Sequence, residues 1–236
     1  MFEEIVGQKK TCDLIEIAIL AAKKRNELVD SFLLYGADQY TRHQLASSIV
    51  SELGVQFKEV RREQARIKKA SEWASDLNSF REGDCFIIEG IDVIATDVLE
   101  DVLLPTTEKN CLFITIGKGY SARRMELDLP HICFIIIADK IEEVPNQMVD
   151  SITNVIRPDD INERTRTLWF KECLEQKHIQ INEVALKEFS QLRLSHMKIA
   201  KIVNNFEAYS IVNRMEKVSD EIVFAVLEEI KKQVED

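Results

Sequence analysis

The chain has 236 residues, enough for one or two domains with a sizeable core, and its 45% hydrophobic content is that of an ordinary globular protein. A formal net charge of −10 argues against a face built to grip duplex DNA, which would be basic. Five cysteines (Cys12, Cys85, Cys111, Cys133, Cys173) lack any CxxC spacing and the four histidines lack ligand pairing, so no metal is expected and the thiols read as reduced core residues of a cytosolic protein. In chain order, Leu14, Ile15, Ala18, Ile19 and Ala22 fall at helical spacing and predict an amphipathic helix over Lys9 to Leu28. Ser31 to Tyr35 reads as a short buried strand, and Gln44 to Leu53 as a helix ended by Gly54. Cys85 to Ile88 and Ile132 to Ile137 are continuous apolar runs, the pattern of central strands covered on both faces. The longest such run, Ile132 to Ala138, is far too short for a bilayer, and no signal peptide is evident.

Strands alternating with helices imply a three-layer α/β domain with a parallel sheet. Beyond it, Asp160 to Gln176, Asn182 to Leu192, Lys198 to Asn213 and Ser219 to Val234 all read as helices, with caps at Asn182 and at Ser219 to Glu221. Pro158 disfavours helix at Arg157 and marks the boundary. The expected division is an α/β domain over 1–156 and a small all-helical domain over 157–236.

Chemistry concentrates after the first strand. An apolar strand end (Phe32 to Tyr35) runs into Gly36, and a helix pattern follows: the strand–loop–helix frame of a phosphate-binding P-loop. A working loop needs a second glycine, a lysine for the β/γ-phosphates and a hydroxyl for Mg²⁺. Those places hold Thr41, Arg42 and His43, with Asp38 adding negative charge where phosphate would lie. Arginine is no conservative replacement, since a planar fork does not occupy the cradle of a point charge. Arg42 or His43 is expected to pair with Asp38 or Glu89, closing an empty pocket.

The P-loop frame, α/β core and helical lid resemble an AAA+ module, and more closely the RuvB family, the motor of Holliday-junction branch migration. Phe2 to Gln8 resembles the family segment that packs against adenine, and Leu33-Leu34-Tyr35-Gly36 follows at family spacing. Ile116 to Arg123 and Leu127-Asp128-Leu129-Pro130 are similar to a stretch specific to RuvB, and Lys198-Ile199-Ala200 stands where the lid has Pro-Arg-Ile-Ala. The resemblance implies nucleotide-contacting positions at Ile5, Val6, Gly36, Arg42, His43, Glu89 and Lys198. It also implies a hairpin over Asn110 to Gly117 that docks a RuvA-like partner through Leu112, Phe113 and Ile114; the competing reading is that these are ordinary sheet residues.

The departures fall on catalysis. The Asp-Glu pair that ends the family's Walker B strand aligns with Glu89-Gly90, the polar sensor with Ala138-Asp139, the arginine finger with Asp150-Ser151-Ile152 and the lid arginine with Lys198. An arginine finger alone is worth roughly 10³–10⁵ in rate. No catalytic residue and no cofactor is therefore expected, with retained ATP or ADP binding the lesser alternative. No residues remain for the family's winged-helix domain, in keeping with weak or absent DNA binding. The basic stretch Lys58 to Lys69 reads as a solvated helix or loop with internal ion pairs rather than a phosphate-binding surface, because no aromatic is interleaved. The expected function is an inactive RuvB-like module acting as scaffold or regulatory subunit in a recombination, repair or replication complex, in contact with an AAA+ subunit or RuvA-like protein and able to join an oligomer. Alternatives are an ATP-binding motor subunit with atypical residues and an adaptor unrelated to DNA.

Overall fold

A computed structural model of the chain describes residues 5, 7–116, 123–160, 162–192, 194, 196–213 and 222–228. Two compact units divide it, Met1–Pro158 and Asp159–Asp236.

In the first unit, α1 (Lys9–Arg25) buries Cys12, Ile15, Ile19 and Ala22 and stops where Asn26 turns left-handed at φ +56°. After β1 (Phe32–Tyr35) comes α2 (Gln39–Leu53), which begins five residues earlier than the apolar periodicity suggests. Asp38 is the reason: its carboxylate accepts the Thr41 N–H, supplying the N-terminal cap that lets helix start at once. Next come β2 (Phe57–Val60), α3 (Arg62–Ile67), α4 (Ala70–Asn78) and β3 (Cys85–Glu89). The stretch read from sequence as a helix or loop thus opens as a strand. It is an edge strand with only Val60 fully buried, so its polar sequence hides its state. An irregular helix follows, made of α5 (Thr96–Val98), a π-helical turn (Leu99–Leu103) and α6 (Leu104–Lys109). The unit is completed by β4 (Cys111–Ile116), β5 (Arg123–Asp128), β6 (Cys133–Ala138), α7 (Asn146–Ser151) and β7 (Asn154–Ile156).

Five strands form one parallel sheet in the order β2-β3-β6-β1-β7. Strand alternation sends Phe32, Leu34, Cys85, Ile87, Cys133 and Ile135 to one face, where α1 and α2 cover them with Ile15, Ile19, Leu45 and Ile49. Leu33, Phe86, Ile88, Phe134 and Ile136 point to the other, against Trp73, Leu77 and Phe80. The Phe86 ring lies 5.7, 5.1 and 6.1 Å from those of Trp73, Phe80 and Phe134. Each such side chain contributes about 1.5–3 kcal/mol on burial. This is the α/β P-loop architecture, in which ligands sit at the carboxyl ends of the parallel strands. Here those ends are Tyr35, Glu89 and Ala138.

The antiparallel pair β4–β5 forms a separate hairpin, with Leu112 opposite Leu127, Ile114 opposite Met125 and Ile116 opposite Arg123.

The second unit holds α8 (Glu163–Gln176), α9 (Glu183–Gln191), α10 (His196–Asn213) and helical residues 222–228. Asn162 and Asn182 cap α8 and α9 through their side-chain oxygens. Phe170, Phe189 and Phe206, one from each helix, stack with centroids 4.8 and 5.9 Å apart, and Trp169 is buried nearby in sequence on α8. Among the described residues no helix is long and apolar enough to cross a membrane.

Candidate functional site

The carboxyl ends of β3 and β6 and the start of α2 enclose a cavity of about 210 Å³ lined by Gln39, Arg42, Arg62, Glu89, Gly90 and Asp139, among others. Ordinary small-molecule pockets run to roughly 300–1,000 Å³. Arg42 explains the difference. Its side chain projects from the first turn of α2 back into the loop and is only 3% exposed. One Nη donates to the Gly36 carbonyl at 2.5 Å and the Ala37 carbonyl at 3.0 Å, and the other to the Asp139 carboxylate. A phosphate cradle aims backbone N–H groups inward. Here the inward groups are two carbonyls, and a cation fills the space between them.

The anion's place at the α2 N-terminus is also taken from within. Asp38 accepts both the N–H and the hydroxyl of Thr41, at 3.2 and 2.5 Å. Gly36 stands at φ +71°, and a Cβ there would meet Arg157 Nε at 3.1 Å.

Glu89 accepts from the Gln39 amide at 2.7 Å and lies 3.4 Å from His43 Nε2, whose Nδ1 is 3.8 Å from Glu59. His43 therefore sits between two carboxylates. Gly90 is at φ +80°, and a Cβ added to it would lie 2.7 Å from Arg62 Cγ and 2.9 Å from Arg62 Cα. A side chain at position 90 would therefore collide with the backbone of α3. Arg62 is itself fixed by two hydrogen bonds to Asp92 at 2.7 and 2.5 Å, which also raise its already high pKa.

Arg42 and Glu89 line the cavity, the Gly36 carbonyl accepts from Arg42, and His43 lies beside Glu89. The partners differ from expectation. Arg42 pairs with Asp139, not with Asp38 or Glu89; only His43 meets Glu89. Ile5 is buried in the cluster between sheet, α1 and α2. Val6 lies outside the described residues. Lys198 is an exposed residue of α10, in the second unit. Two contributors escaped sequence reasoning: Asp139 as the guanidinium partner, and Arg62 above Gly90. The glycine at position 90 was the one signal in the sequence that another residue packs closely there.

The hairpin trio does not share a face. Leu112 is fully buried, and Ile114 lies on its side of the hairpin, partly packed on the core. Phe113 points to the opposite face, beneath the Arg124 guanidinium at 4.0 Å. Beyond Ile114 the same apolar face continues with Ile116 and Met125, 52% and 50% exposed. Residues 117–122, part of the RuvB-like stretch, lie outside the described residues. The basic stretch is laced with internal pairs: Lys58 and Lys68 on Asp76, Arg61 on Glu59 and Arg62 on Asp92. Among the described residues no group of three His, Cys, Asp or Glu side chains is placed to hold a metal.

The family model of the Holliday junction DNA helicase RuvB P-loop domain matches residues 1–157, two thirds of the chain. The chain belongs to the RuvB family. A curated relative, the Holliday junction branch migration complex subunit RuvB of Campylobacter concisus (strain 13826), is 36% identical over 134 residues, 57% of this chain and 39% of the relative. The match thus spans about two fifths of that RuvB's length. Among solved structures, a Thermotoga maritima RuvB mutant superimposes with a TM-score of 0.81 at 18% identity, covering 97% of this chain and 72% of its own. The Thermotoga maritima RuvB Holliday junction branch migration motor follows at 0.77, 18%, 94% and 69%. These likenesses, at such low identity, establish the RuvB fold.

Proposed function

We propose that this RuvB-family chain is a catalytically inactive AAA+ module, residues 1–156 forming its core and 157–236 its lid, that serves as scaffold or regulatory subunit in a DNA recombination, repair or replication complex. The observation that carries this reading is the Arg42 guanidinium seated in the loop where a triphosphate would lie. Losing loop lysine, Mg²⁺ hydroxyl, general base and arginine finger together removes each part of the phosphoryl-transfer machinery. No nucleotide or Mg²⁺ cofactor is assigned. The protein partner, an AAA+ subunit or RuvA-like protein, docks on the hairpin face bearing Ile114, Ile116 and Met125. Direct DNA binding is weak, a reading supported by the carboxylates that engage Lys58, Arg61, Arg62 and Lys68.

Calorimetry of the full chain with ATP and Mg²⁺ tests this. No binding heat and no turnover above buffer is the expected result. Measurable binding, with hydrolysis abolished by Glu89→Gln, would overturn it in favour of the second reading. That reading, a motor subunit with atypical residues, is favoured by the helicase and branch-migration descriptions of the matched relatives.

A further inference from the structure

We infer that the loop between β1 and α2 is self-liganded: Asp38 stands in for an anion at the α2 N-terminus, and the Arg42 guanidinium for a cation among the carbonyls of Gly36 and Ala37 and the Asp139 carboxylate. The loop therefore holds its fold with no nucleotide. This rests on the inert-site reading above and adds what replaces the nucleotide.

Three observations combine. Gly36 and the non-glycine Ala37 both stand in the left-handed region, at φ +71° and +49°, a conformation an alanine keeps only under constraint. The two carbonyls this presents both accept from the same Nη of Arg42. Asp139 grips the loop twice, its carbonyl accepting from the Gly36 N–H at 3.1 Å and its carboxylate from Arg42. The carboxylate side chain is 68% exposed while the guanidinium is buried, so the clamp is a buried fork closed by a solvent-facing latch. That latch ties the end of β1 to the end of β6, its neighbour in the sheet. Within the described residues Arg42 Nε has no partner, so the grip lies in the two Nη groups. A planar fork is required; a lysine ammonium cannot reach carbonyls and carboxylate together.

Thermal unfolding of the chain and its variants tests the clamp. Arg42→Ala is expected to lower Tm by roughly 5–10 °C. Millimolar methylguanidinium, filling the vacated cradle, restores part of that loss and leaves wild type unchanged, whereas methylammonium restores nothing. Arg42→Lys behaves like the alanine variant. A wild-type melting point for Arg42→Ala, or equal recovery with methylammonium, overturns the clamp while the inert-site reading stands. A rise in the wild-type melting point with ATP–Mg²⁺ sinks both. Should Arg42→Ala not fold, Asp139→Asn carries the test: a fall of about 1–3 °C supports the latch and an unchanged value overturns it.

Discussion

In the loop between β1 and α2, the charges of Asp38, Arg42 and Asp139 are directed at backbone groups and at one another. The β4–β5 hairpin does the reverse. Its base is anchored in the core by Leu112, yet Ile116 and Met125 present apolar surface to solvent on one face. A polar site whose charged groups are largely paired with one another leaves few of them to bind a ligand. An apolar face left open gains by being covered. Under the proposed function, the contrast points to interactions at the hairpin face rather than in the cleft.

The strongest attempt to break that contrast is to rebuild the catalytic carboxylate. Gly90→Glu places a Cβ against the α3 backbone at positive φ, and the expected cost is about 3 kcal/mol or more, a fall in Tm on the order of 6–12 °C, with no gain in ATPase rate. A stable, hydrolysing Gly90→Glu protein would mean the cleft is open after all. A change of middle size sharpens the other half. Ile116→Ser combined with Met125→Ser should weaken capture of a RuvA-like partner by about tenfold or more, measured by biolayer interferometry, while stability moves by less than ~1 kcal/mol. Loss of stability with binding intact would assign this face to the fold instead.

The smallest effect concerns the edge of the sheet. Burial pushes the Asp76 carboxyl up, but hydrogen bonds from Lys58 and Lys68 outweigh it and hold its pKa below the ordinary 3.8. A depressed carboxylate stabilises above its unfolded value, and the contribution is lost as pH falls from near 4 through the lower folded value. Asp76→Asn should therefore flatten the acid limb of stability against pH slightly, seen in urea midpoints between about pH 5 and pH 2. An unchanged limb would show that the pair is solvated and contributes nothing.

What the sequence determined by itself was whatever one position or one short period encodes. Continuous apolar runs at Cys85 and Ile132 specified central parallel strands, Asn182 announced a helix start, and the identities at 42, 43 and 90 set the expectation on which the proposed function rests. Tertiary structure alone decided which side chains meet at those positions. Asp139 lies 97 positions from Arg42, Arg62 reaches Gly90 across two elements, and Phe113 faces away from its neighbours because strands alternate. Even the early start of α2 depends on a cap that apolar periodicity does not register, and polar β2 is a strand only because β3 offers it an edge. Periodicity reports how a segment meets the core, whereas ion pairs between loops depend on strand order, which no local pattern encodes.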